Sequence, residues 1–173
     1  IEATDRLAVL AGRDLDIATT TRSTATAQGN YTGIDRIAGL YITGSTAAGE
    51  LIAAAGRDLG LTAATVENAG QGSTVLSAGR DLKLATVTTA RRQETVWDAS
   101  NYRKDANSQE TGTTLDVAGK LRLEAGQDIA LRAASITSDK GALDVVAGRD
   151  IALSSGRETL SMAEAHRDTD SNI

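Results

Sequence analysis

Apolar and polar residues alternate with a period of two in short runs, and each run is broken at a glycine. Leu121, Leu123 and Ala125 alternate with Lys120, Arg122 and Glu124, the pattern of a strand with one buried and one wet face. Ile129 and Leu131 resume the same parity beyond Gly126. Were the strand to run straight through, Gln127 and its equivalents Arg13, Arg57, Arg80 and Arg149 would point into the core. An unpaired buried guanidinium is far too costly. The pattern therefore predicts two short strands meeting at an Ala-Gly-Arg-Asp corner. Gly12, Gly56, Gly79, Gly126 and Gly148 are expected to supply a backbone conformation that other residues avoid. Asp14, Asp58, Asp81, Asp128 and Asp150 are expected to accept hydrogen bonds from corner amides, with adjacent arginines relieving repulsion along the aspartate ladder.

The corner recurs five times, in Leu7–Ile17, Leu51–Leu61, Thr74–Leu84, Leu121–Leu131 and Leu143–Leu153, with Thr74 standing where the other copies have an aliphatic. A degenerate copy without the Arg-Asp pair is read at Ile34–Ile42. The spacings alternate between about 22 and about 45 residues, so a longer repeat of about 70 residues overlies the short one. One rung cannot bury its own apolar face, but stacked rungs bury each other's and share backbone hydrogen bonds at a spacing of about 4.8 Å. The fold predicted is all-β, a right-handed parallel β-helix (β-solenoid) of about 22-residue rungs, roughly six or seven in number. Its handedness follows from the crossover preference. The extra residues of the long intervals, near 19–34 and 87–114, are polar, rich in Thr and Ser, and poor in core residues. They read as excursions from the solenoid, either loops or β-arms. Ser154–Ile173 reads as the start of a third.

Composition narrows the picture. There is no Phe, Pro or Cys and only one Trp. A globular core of this size usually relies on aromatics, whereas a narrow interior is filled by stacked Leu, Ile, Val and Ala. Without Cys there are no disulfides, Cys-based zinc sites or thiol catalysis. The net charge of −5 is mild and both signs are interspersed, which predicts no nucleic acid binding. No apolar run approaches the length of a membrane-spanning helix. The sequence begins at Ile1 without a signal pattern and reads as an internal fragment.

The unit from Gly119 to Leu160 resembles the haemagglutinin repeats of filamentous haemagglutinin and of contact-dependent growth-inhibition exoproteins. Gly119, Leu121, Leu123, Gly126, Asp128, Ile129, Leu131, Ile136, Gly148, Asp150 and Ile151 stand at the matching places, and Gly49–Leu84 repeats the match. The resemblance implies one β-helical segment over 1–173 within a much larger exoprotein. It implies secretion to the bacterial cell surface by two-partner secretion through an outer-membrane transporter. It also implies a non-enzymatic role as an adhesin or as a stalk for toxin delivery, with host or neighbouring-cell glycans or receptors as partners. The secretion domain and a toxin-like tail are absent from this sequence.

Candidate chemistry is sparse. The corner aspartates lack the Gly-Gly-x-Gly-x-Asp spacing of a calcium β-roll, so neither metal nor cofactor is expected. Glu50, Asp116 and Asp144 are scattered rather than paired as in glycan-cleaving enzymes, so no catalytic residue is assigned. His166, the lone histidine, reads as solvated. Three of the four aromatics, Tyr31, Trp97 and Tyr102, fall in the excursions, the latter two near Arg91, Arg92 and Arg103. These six are the candidate ligand contacts. The competing reading is that the excursions fold back and seal an open face of the solenoid.

Overall fold

The structure is a computed structural model and describes residues 1–45 and 47–167. Every element in it is a strand. The chain climbs through five rungs, and each rung contributes one strand to each of four sheets. The first rung holds β1 (Glu2–Ala3), β2 (Arg6–Ala11), β3 (Leu15–Ala18) and β4 (Thr20–Thr26). The second holds β5 (Gly29–Arg36), β6 (Gly39–Ile42), β7 (Glu50–Ala55) and β8 (Leu59–Thr62). The third holds β9 (Thr65–Asn68), β10 (Ser73–Ala78), β11 (Leu82–Ala85) and β12 (Val87–Asp98). The fourth holds β13 (Asn101–Thr111), β14 (Thr114–Val117), β15 (Lys120–Ala125) and β16 (Ile129–Arg132). The fifth holds β17 (Ser135–Ser138), β18 (Leu143–Ala147), β19 (Ile151–Ser154) and β20 (Glu158–Ala165).

Three of the sheets are parallel and wall one core. The first wall runs β1-β6-β9-β14-β17, the second β2-β7-β10-β15-β18, and the third β3-β8-β11-β16-β19. Register is kept from rung to rung: Leu76 pairs with Ala53 on one side and Leu123 on the other, and Leu82 with Leu59 and Ile129. Like residues therefore stack in columns, and the Leu, Ile, Val and Ala columns form a single buried cluster. Thr74 is buried in the column of Leu51 and Leu121, where its hydroxyl accepts from Asn68 Nδ2 at 3.0 Å. Asn68, also buried, donates to the Gly49 carbonyl as well and accepts from the Gly70 amide. A polar pair inside the core is tolerated here because its groups are bonded.

The fourth sheet, β4-β5-β12-β13-β20, is antiparallel and stands off the junction between the third and first walls. The chain leaves the solenoid after β3 and β11, runs outward, turns, and returns one rung higher as β5 and β13. Where it makes no excursion, after β8 and β16, Ala63 (φ 46°) and Ala133 (φ 48°) turn the corner in the left-handed region. The two junction types alternate, which is the origin of the 70-residue period.

Four sequence expectations are corrected. Among the described residues the rungs number five rather than six or seven, because the polar segments stack as strands of a separate sheet and add no rungs of their own. Each rung has three wall strands instead of two; the first-wall strands are short and were masked by polar residues such as Thr65, Glu67 and Thr114. Ile34–Ile42 is not a corner copy, since Ile34 lies in β5 and Gly39–Ile42 forms β6 of the first wall. The corner glycines do not adopt a left-handed conformation. They are required by close approach: a Cβ on Gly56, Gly79, Gly126 or Gly148 would run into the carbonyl oxygen of the corner glycine one rung below.

Candidate functional site

The corner and the arm sheet carry the functional-type side chains. At the corner the arginine of one rung grips the aspartate of the rung below, so the two-pronged bonds run between rungs; of the sequence neighbours, Arg80 and Asp81 also lie 3.6 Å apart. Arg57 donates to Asp14 through Nε at 3.0 Å and Nη2 at 2.8 Å. Arg80 grips Asp58 and Arg149 grips Asp128 in the same two-pronged way. Gln127 breaks the series, so Asp81 lacks the two-pronged grip and keeps the bond from the Asp128 amide at 3.2 Å, the same bond that Asp128 accepts from the Asp150 amide. The Arg57 guanidinium beside Asp14 holds that carboxyl below its ordinary value of 3.8, and Arg80 and Arg149 do the same for Asp58 and Asp128. These groups are spoken for, which leaves the corner a structural seam.

The arm sheet is built from polar sequence rich in Thr, a residue that suits a pleated surface, and needs glycine where strands approach closely. Gly29 sits opposite Gln93, and a Cβ there would meet the Arg92 carbonyl oxygen. At the β12–β13 tip Asp98 accepts from the Ser100 amide and from Asn101 Nδ2, each at 2.7 Å, an Asx turn that lowers the Asp98 pKa through the Asn101 bond first. At the root, Glu110 accepts from Arg132 Nε at 3.0 Å and Nη2 at 2.6 Å and from the Arg157 amide. That cluster pins β13 to the third wall and holds the Glu110 carboxyl below its ordinary value.

The six candidate contact residues separate across this sheet. Tyr31 and Arg91 are directly opposed on β5 and β12, and so share a face, joined there by Arg103. Arg103 is held by Asp105 at 2.9 Å. Arg92 and Tyr102 stand on the opposite face. Arg92 lies 3.5 Å from Glu94, and the ring of Tyr102 is covered by Lys104 Nζ at 5.3 Å. Trp97 occupies a bulge between the Val96 and Asp98 pairings near the tip, and 70 % of it is exposed. It borders a cleft between the two arm tips lined also by Ala27, Gln28, Asn30 and Val96. Sequence reasoning missed Arg22, Gln93 and Asn107, which the register brings beside Tyr31 and Arg91. Only the hairpin register brings them there, and no local motif marks them. No group of three His, Cys, Asp or Glu side chains among the described residues could hold a metal ion. No helix of the described residues is long and apolar enough to cross a membrane.

Stacked parallel rungs with a core of aliphatic columns define a β-solenoid of repeat type. The hemagglutinin repeat family model matches residues 1–169, and the chain belongs to that family, whose members are structural, adhesin-type repeats of secreted surface proteins. No curated protein and no solved structure matches the chain.

Proposed function

We propose that this chain is a non-enzymatic adhesive segment of a secreted bacterial surface exoprotein, in which the walls act as a rod and the arm sheet as the contact surface. The parent protein reaches the cell surface through a two-partner outer-membrane transporter and serves as an adhesin or as a stalk for toxin delivery. The observation that carries this reading is the arm sheet itself. A rod needs only the walls, yet every rung spends a further strand on a sheet with solvent on both faces and a Trp exposed near its tip. Large exposed aromatics at such a position are anchors for a partner. Beads coated with the chain, applied to cultured epithelial cells and to bacteria, test the reading. Adhesion by the wild type that falls with Trp97→Ala and Tyr102→Ala is expected. If coated beads adhere no better than bare ones, the segment is a passive spacer.

A further inference from the structure

Tyr31 lies on β5 with its ring laid over Gly33, in the space that a Cβ on Gly33 would need, and 57 % of the residue stays exposed. An aromatic ring covering a strand glycine is held against the backbone on one side and left open on the other. Arg22 of β4 stands opposite Gly33, and Arg91 of β12 stands opposite Tyr31. Opposed residues of an antiparallel pair share a face, so two guanidinium groups flank one open ring. Both are exposed, and neither pairs with a carboxylate among the described residues. Arg91 Nη2 donates to Gln93 Oε1 at 2.8 Å, which orients the guanidinium and leaves other donors open. Asn107, opposite Arg91, and Gln109 extend the same surface. Of the acids the pairing places on this face, Asp105 is held by Arg103, while Glu158 and Glu164 sit on β20, two strands from Arg91; Asp35 is the extra residue between the Ile34 and Arg36 pairings at the root end of β5.

We propose that this face binds a carboxylate-bearing carbohydrate chain, with a sugar ring seated on Tyr31 and its carboxylate held by Arg22 and Arg91. A guanidinium presents a planar fork that matches a carboxylate, and unpaired guanidinium groups on a face call for an anionic ligand. The ring supplies an apolar platform for the C–H face of a pyranose, and Asn107 and Gln109 supply both donors and acceptors for hydroxyls. The row Tyr31–Arg91–Asn107 crosses the strands along the axis on which the rungs stack, which suits a polymer better than a single sugar. The inference rests on the reading of the arm sheet as the contact surface and names the ligand class.

Titrating the whole chain with oligogalacturonate tests it, beside a neutral galactan of equal length, dextran sulfate and polyglutamate. Saturable binding of oligogalacturonate and none of the neutral chain is expected, weakened about tenfold or more by Arg22→Gln/Arg91→Gln and by Tyr31→Ala. Arg122→Gln, on the outer face of the second wall, should bind as the wild type does. Tyr31→Ala uncovers Gly33, so its fold is checked by a thermal melt, and the surface double variant carries the test if that melt drops. Absent binding, or equal binding by the double variant, overturns the inference. So does equal uptake of polyglutamate, which marks a plain cationic patch, or a preference for dextran sulfate. Bead adhesion that is lost in Trp97→Ala while oligogalacturonate goes unbound sinks this inference alone. Bead adhesion indifferent to every arm substitution sinks the contact reading itself.

Discussion

At the scale of single residues, burial here is supplied by the neighbouring rung. Leu121 is 1 % exposed between its neighbours, whereas Leu143, its partner on the outermost rung, is 46 % exposed. Leu123 is fully buried, so Leu123→Ala is expected to cost about 3 kcal/mol and Leu143→Ala about 1 kcal/mol, read as shifts in urea midpoint. Leu123→Asp should abolish folding, since it buries an unpaired charge, whereas substitutions in Arg103–Gln109, at the wet arm, should be mild. The corner aspartates set a pH dependence. Asp14, Asp58 and Asp128 have folded-state pKa values below the ordinary 3.8 because arginines bond their ionised forms. Their contribution is complete above the unfolded-state value and is lost as pH falls through the lower, folded-state values. Melting temperature should therefore drop from about pH 4 toward pH 2. In Arg57→Gln/Arg80→Gln/Arg149→Gln that acid-side drop should shrink. An unchanged profile in the triple variant would show that the ladder adds nothing. These pairs are exposed, so the effect is modest and salt-sensitive.

At the scale of elements, the alternation of arm-bearing and tight junctions follows from width. A hairpin is two strands wide and so occupies the height of two rungs at about 4.8 Å each. A hairpin at every junction would put two strands at one level. The tight junction at Ala63 is fitted between two arm roots. Thr19 donates to the Ala63 carbonyl at 2.6 Å, and Thr113 donates to the Leu61 carbonyl at 3.1 Å and accepts from the Ala64 amide at 3.3 Å. Deleting Gly56–Ala78 removes one rung yet rejoins Ala55 to Gly79 with the corner motif intact. It should nonetheless fail to give a stable monodisperse protein, because β5 and β12 then compete for one level. Deleting Gly56–Ala125 removes two rungs with one hairpin and should fold. Comparable melts for the two deletions would refute the width argument.

At the scale of the whole molecule, local pattern and long-range register divide the account between them. The period-two runs around Leu121 and Leu51, and the recurrence of Ala-Gly-Arg-Asp, determined by themselves that the chain is all-β and stacks rung on rung. An inward column needs only apolar residues at fixed spacing, and that spacing is local. The first wall was not legible because its strands show at most two inward positions each, and in β9 and β17 one of the two is Asn68 or Ser138 rather than an aliphatic. The reason for the corner glycines was not legible either, since the obstructing carbonyl belongs to another rung. Among the contact residues, Tyr31, Arg91 and Trp97 were visible as aromatics and arginines in polar segments. Their partition over two faces, and the company of Arg22 and Asn107, came from hairpin register. Register is set by pairing between strands distant in sequence, which composition does not encode. The sequence alone determined the rod; only the tertiary structure decided that its polar interruptions form one continuous sheet, because hydrogen bonds between separate hairpins join them.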